Sequence, residues 1–200
     1  MKSLFPMRHN IQKEGFGVRL RPVELEDAEF IVWLRNLEHA KGRVGDSAAT
    51  TAAQEAWLES YFQREGDYYF IIETLNRKSV GAYGIYGIRD GSAESGRWVI
   101  RPEVPAAIPS ALVAFEIAFG NLRLEELRVK TVSSNQNVLS LNRKLGFQQI
   151  RIERNSQTIG GKPVDQVHYL LKAADWPPYR AKLEPLAKIA ERQVLEWQRQ

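Results

Sequence analysis

The order of apolar and polar positions predicts short strands interrupted by helices. Val18-Arg19-Leu20-Arg21-Pro22-Val23 alternates apolar and charged residues and reads as a strand, with Pro22 placing its end near an edge or turn. Residues 24–36 (ELEDAEFIVWLRN) follow as a helix. Acidic side chains crowd its first turn and Arg35 sits in its last, both suited to the helix dipole. Thr51 with Gln54-Glu55 resembles the start of a second helix reaching about Gln63. Asp67 to Thr74 (DYYFIIET) is a dense β-branched and aromatic run, a buried strand. Ser79 to Ile88 (SVGAYGIYGI) is the next, its recurring glycines pointing to a bulge or to close approach by another backbone. After a turn at Asp90-Gly91, Glu94 to Arg101 makes a further strand.

The second half begins with a proline-punctuated loop over residues 102–110 (PEVPAAIPS), with Pro109 placed in the first turn of the next helix. That helix, Ser110 to Asn121, is apolar nearly all round and therefore buried. Leu127 to Val132 is a strand, and Asn135 to Leu145 a helix ended by Gly146. Gln148–Glu153 and Gln166–Leu171 read as the last strands, with Gly160-Gly161 as a turn between them. Pro177-Pro178 stops the sheet. Residues 184–199 then form an amphipathic helix with Leu186, Ile189, Val194 and Trp197 on its apolar side. The fold class is α/β, with a mixed central sheet of about seven strands. The expected division is an arm over 1–15, one domain over 16–173 and a helical extension over 174–200.

Composition narrows the function classes. The chain has 200 residues, 44% hydrophobic and 26% charged, enough for a proper core and unlike a disordered or collagenous sequence. No apolar run approaches the ~20 residues of a membrane helix, and MKSLFPMRHN lacks the apolar stretch of a signal peptide. The expectation is a cytoplasmic protein without a membrane partner. There is no cysteine, hence no disulfide, thiolate nucleophile or cysteine-ligated zinc. His9, His39 and His168 are far apart in sequence, and no metal site is expected; His168 reads as a packed strand residue. The net charge of +4 is spread along the chain rather than gathered in a stripe, so nucleic acid is not the expected partner. The small polar segment from Glu38 to Thr51, with Gly42 and Gly45, is a loop of functional length. His39 at its edge is a candidate for substrate contact.

No GxxxxGK[ST], GxGxxG or HExxH is present. The telling feature is the series from Ser95 to Phe147. A strand (GRWVI) leads through the Pro-rich loop into an apolar helix. A second strand (LRVKTV) leads into a helix opened by Ser134-Asn135-Gln136-Asn137 and ending in Lys144-Leu145-Gly146-Phe147. With IAFGNLRLEELRVKTV before it and VRLRPVELEDAEFI at the start, this resembles the GNAT superfamily of acyl-CoA-dependent N-acetyltransferases, over about residues 16–172. The resemblance implies that the strands holding Glu94–Arg101 and Leu127–Val132 splay apart, and that the pantetheine of acetyl-CoA fills the gap. The pyrophosphate would lie at the following helix start.

Residue by residue, the resemblance implies cofactor contacts at Ile100, at the loop residues Ala106, Ala107, Ile108, Ser110 and Ala111, and at Asn137 and Asn142. Two departures stand out. The family's glycine-bearing phosphate loop is replaced by Val104-Pro105-Ala106-Ala107-Ile108-Pro109-Ser110-Ala111, without glycine and with two residues that lack an N–H. The tyrosine that commonly protonates the leaving thiolate is Asn142 here, which makes Ser140 the candidate donor. Glu94 is the candidate general base. Arg97, either paired with Glu94 or free for a substrate phosphate, and Arg35, Asn36 and His39 are the candidate acceptor contacts. The implied acceptor is a small-molecule amine, with nucleotide-linked amino sugars the leading class. A protein N-terminus or ribosomal protein is the alternative, and a non-catalytic acyl-CoA-binding or scaffold module the third reading. The state is a monomer or homodimer.

Overall fold

The computed structural model describes residues 9–40, 48–159 and 161–199. Residues 1–8 of the expected arm, Gly42, Gly45 and Gly160 lie outside the described residues. Eight strands form one sheet: β1 (Lys13–Gly15), β2 (Val18–Pro22), β3 (Tyr68–Thr74), β4 (Ser79–Arg89), β5 (Ser92–Ile100), β6 (Glu126–Val132), β7 (Gln148–Ile159) and β8 (Lys162–Lys172). The helices are α1 (Ala28–Arg35), α2 (Thr51–Tyr61), α3 (Ala107–Glu116), α4 (Gln136–Lys144) and α5 (Trp176–Trp197). The strand order is β1-β2-β3-β4-β5-β6-β8-β7, and every neighbouring pair is antiparallel except β5 and β6.

The apolar run of β3 is continuous because both faces of the sheet are covered there. Phe70 and Ile72 enter a core shared with α3 and α5, while Tyr69 and Ile71 enter a second core shared with α1 and α2. A charged network ties β2, β3 and the start of α1. Arg21 reaches both Asp27 oxygens at 2.7 Å and Glu73 at 2.7 Å, and Arg19 also pairs with Glu73. Burial alone would lower the pKa of Arg21; its bonds to the two carboxylates outweigh that and raise it.

Several boundaries differ from the sequence reading, each for a local reason. The expected arm contributes a strand: β1 pairs with β2, and Lys13 reaches Glu116 of α3 at 3.5 Å. Helix α2 is capped by Thr50, whose hydroxyl accepts from the Ala53 N–H, so the cap stands one residue before Thr51. The apolar helix begins earlier, at Ala107, and closes in a wider turn over Ile117–Asn121, with the Leu122 N–H reaching the Ile117 carbonyl at 2.9 Å. Strands β7 and β8 run on to the Gly161 turn, where φ is +76°.

The largest revision concerns α5. It starts at Trp176, with Pro177 and Pro178 in its first turn rather than ending the sheet from outside. Its buried side carries Trp176, Leu183, Ala187 and Val194, whereas Leu186 (41%) and Ile189 (48%) are exposed. Trp176 sets this rotation. It meets Phe115 edge-on at 5.0 Å, and Phe115 in turn meets Phe147 at 5.6 Å. Arg180 bonded to Glu116 at 3.0 Å holds the same side of α5 against α3. No helix of the described residues is long and apolar enough to cross a membrane.

Trp176→Ala is therefore expected to cost about 3–5 kcal/mol of stability, whereas Ile189→Ala should cost less than about 0.5 kcal/mol. Urea unfolding of both variants checks this. Similar losses would mean that α5 buries the side with Ile189.

Candidate active site

The parallel pairing of β5 with β6 lasts for three residue pairs only, Ser92 with Glu126, Ala93 with Leu127 and Glu94 with Arg128. Beyond Glu94 the strands part. β5 stays bonded to β4 and β6 to β8, so neither loses its place. A bulge helps β5 turn away. Ala82 pairs with Val99 but Gly84 with Gly96, which leaves one extra residue in β5. Arg97 within that stretch takes a φ of +51°. The recurring glycines of β4 serve the close approach: a Cβ on Gly81 would stand 2.6 Å from the Val99 carbonyl oxygen.

The gap is a cleft of about 810 Å³. From Ser95 to Ile100 its β5 wall has no second strand, so backbone donors and acceptors on that edge face the cleft unpaired by sheet. The β6 wall is Val129–Val132, and α3 contributes Ala107. Helix α4 contributes Asn135, Val138, Leu141 and Asn142, the residues on one side of its turns. Asn135 is also the N-cap, accepting from the Val138 N–H. The amide of Asn142 donates to Thr131 Oγ1 at 3.1 Å, so the Thr131 hydroxyl proton remains for another acceptor. Trp98, another lining residue, has a buried indole N–H with no protein acceptor.

At the start of α3 the supply of donors is small. The Ala106 N–H is taken by the Val104 carbonyl at 2.8 Å, and Pro109 has none. The N–H groups of Ala107 and Ile108, in the first turn, have no acceptor within the helix.

Where the strands part stands Glu94. It accepts from the Tyr86 hydroxyl at 3.1 Å and pairs with Lys130 at 2.8 Å. Burial, and then the Glu94 charge, push the Tyr86 phenol well above its usual range, so it remains a donor. Arg97 pairs with Asp67, at 2.6 and 2.9 Å, and not with Glu94. Its guanidinium lies over Tyr86 (4.3 Å), Trp57 (5.0 Å) and Tyr69 (5.3 Å). Burial alone would lower the Arg97 pKa; the Asp67 bonds outweigh it and raise it. Arg35 and Arg64 also line this end, with His39, whose Nε2 lies 3.1 Å from the Ile100 carbonyl oxygen.

Of the residues expected from sequence, the fold brings Glu94, Arg97, Ile100, Ala107, Asn142, Arg35 and His39 to the cleft. Asn36 is not there; its amide bonds the Val32 carbonyl of its own helix at 2.8 Å. Asn137 and Ser140 project from the exposed side of α4, because the cap is Asn135 and the inward positions count from it. Ala106 and Ala111 are buried in the core, Ile108 packs against it, and Ser110 bonds back to the Ala107 carbonyl at 3.2 Å. Sequence reading missed Asn135, Lys130, Thr131 and Tyr86. The N-cap preference for Asn and the i, i+3, i+7 spacing were available signals for Asn135. His168 is buried and bonded to Glu153 at 2.8 Å, as a packed strand residue. Among the described residues no group of three or more His, Asp or Glu could hold a metal ion.

Comparison with known proteins agrees with this geometry. The family described as acetyltransferase (GNAT) domain matches residues 18–148. No curated protein matches the chain. The apo structure of FdhC, described as a nucleotide-linked sugar GNAT, is similar at 25% identity and TM-score 0.72, over 87% of this chain and 97% of that one. A GCN5-related N-acetyltransferase from Brucella melitensis is similar at 19% identity and TM-score 0.76, over 92% and 88%. Spermidine N-acetyltransferase from Vibrio cholerae, in complex with CoA and spermine, is similar at 18% identity and TM-score 0.75, over 81% and 99%.

Replacing the true cap should be felt where replacing its neighbour is not. Asn135→Ala is expected to lower stability by about 1 kcal/mol and Asn137→Ala by less than about 0.5 kcal/mol, as read by thermal or urea unfolding. The reverse order would place the start of α4 two residues later.

Proposed function

The chain belongs to the GNAT family of acetyltransferases, and on that premise we propose that it transfers acetyl from acetyl-CoA to the primary amine of a small anionic acceptor, of the class of nucleotide-linked amino sugars. The observation that carries this reading is the parting of β5 from β6. It leaves a slot between two backbone edges that no strand pairs, that of β5 from Ser95 and that of β6 from Val129, which suits an extended chain bearing amides. The free N–H groups of Ala107 and Ile108 and the unsatisfied Trp98 indole are donors in want of acceptors at that slot. The cofactor thus fits the residues present, and when bound it supplies an electrophilic thioester carbonyl with a thiol as leaving group.

The chain's own groups divide the remaining work. Backbone N–H groups on the open edge of β5 orient and polarise an acyl oxygen. An amine attacks only when neutral, and the Glu94 carboxylate takes its proton, directly or through water. Tyr86 and Lys130 fix that carboxylate in place. The Thr131 hydroxyl, already accepting from Asn142, can donate a hydrogen bond to a departing thiolate while keeping its proton. In this reading Thr131 takes the place that Ser140, on the exposed side of α4, does not reach.

Charge supports an anionic acceptor. The cleft is lined by Arg35, Arg64, Arg97, Arg101 and Lys130 and by the carboxylate of Glu94; Asp67, bonded to Arg97, and Glu103, bonded to Arg101, offset part of this charge and leave the cations in excess. Such a site attracts phosphates and opposes a polycation. The likeness to a nucleotide-linked sugar GNAT supports the same class.

Glu94→Gln is expected to lower kcat by about a hundredfold near pH 7, with the deficit shrinking as pH rises and the free amine becomes neutral unaided. An unchanged pH profile would remove the base assignment. In an acceptor panel, a nucleotide-linked amino sugar should be acetylated and spermidine should not. Preferential turnover of spermidine would overturn the acceptor class.

A further inference from the structure

Arg101 stands at the end of β5, just before the donor-poor loop, and lines the cleft. Its backbone is anchored by an N–H bond to the Val80 carbonyl at 2.8 Å. Its guanidinium lies between two indoles from opposite ends of the chain, Trp33 of α1 at 4.9 Å and Trp197 of α5 at 5.6 Å. One carboxylate, Glu103, bonds it at 2.6 Å. A second cation, Lys78, lies over the same Trp197 ring at 5.4 Å. The end of α5 is itself fastened to the β3–β4 turn, where the Asn76 amide donates to the Gln198 carbonyl at 2.9 Å.

The loop that follows offers few amides for a phosphate. Two prolines have no N–H, and the Ala106 N–H is engaged by Val104. A fixed guanidinium beside such a loop replaces neutral donors with a charged one, which binds phosphate more strongly per contact. Stacking between indoles holds the fork without consuming its N–H groups, so only Glu103 competes with a ligand for them.

We infer that Arg101 is the cation that binds the phosphates of an acyl-CoA in this cleft, and that Trp197, from the helix beyond the family's matched span, is its positioning residue. The inference rests on the proposed function, because it needs acetyl-CoA to bind here. It adds a residue and an element that the sequence reading assigned no role in the cleft. It also gives α5 a part in ligand binding besides its packing on α3.

Isothermal titration of acetyl-CoA at about 50 mM and about 300 mM salt tests it without reference to turnover. Arg101→Met should weaken binding about tenfold at low salt, the loss of one charge-assisted contact, and should flatten the salt dependence. Glu103→Gln removes the competing carboxylate and should tighten binding. Trp197→Ala should weaken binding with an unchanged fold by circular dichroism, and Trp197→Phe should restore most of it. An unchanged affinity in Arg101→Met, or a loss that is the same at both salt concentrations, would overturn the assignment of Arg101. Full affinity in Trp197→Ala would overturn the positioning role alone. Wild-type protein that fails to bind acetyl-CoA would overturn the proposed function instead.

Discussion

A sheet can be opened in its middle only if each strand at the gap stays bonded on its far side, and this chain meets that condition with little to spare. β5 keeps β4 and β6 keeps β8, while their mutual pairing is reduced to three residue pairs at one end. The bulge before Val99 turns β5 away, and the glycines of β4 let the bulged strand lie close. Everything chemical in the molecule depends on this arrangement. Glu94 sits where the strands part, the open backbone edge begins one residue later, and α3 starts at the far end of the same strand.

Because the gap is built from backbone, its side chains were free to depart from the family's pattern. The loop before α3 has alanine and proline where the resemblance implies glycine, and Asn142 stands where it implies tyrosine. The structure shows what stands in these places. Asn142 is bonded to Thr131, and both line the cleft. The first turn of α3 retains two backbone donors, with a paired and stacked arginine close by in sequence. The aromatic cluster over Arg97 does something different. It fixes a cation that is already neutralised by Asp67, and so shapes that end of the cleft more than it charges it.

Local patterns carried most of the fold. Alternation located β2 and the run of β-branched and aromatic residues located β3, because burial on one or two faces leaves a direct trace in residue type. Gly146 marked the end of α4, and its φ of +96° shows why. The family signature located the cleft as well. Tertiary pairings left no such trace. Arg97 finds Asp67, thirty residues away, rather than nearby Glu94. The three residues of β1 have no alternation to read, and what holds them is β2 and a contact to Glu116. In α5, Leu186 and Ile189 are as apolar as Leu183, so periodicity alone could not choose the side; Trp176 and Arg180 did. In α4, Asn135 is the cap, and the cofactor contact that the resemblance implied at Asn137, together with Ser140, falls on the exposed side of the helix.

The seam of three residue pairs also bears on how the molecule assembles and breathes. On one side of it, β3, β4 and β5 are joined by tight turns. On the other, β7 and β8 form a single long hairpin. Each of these units closes short loops, whereas the seam between them waits for α3 to cross the sheet. The hydrogen bonding of the sheet is thinnest along this seam, which runs through the cleft, and the apolar core beneath it is what joins the two sides. A ligand lying along that seam would touch both sides and add a link where the sheet's own bonding is thinnest.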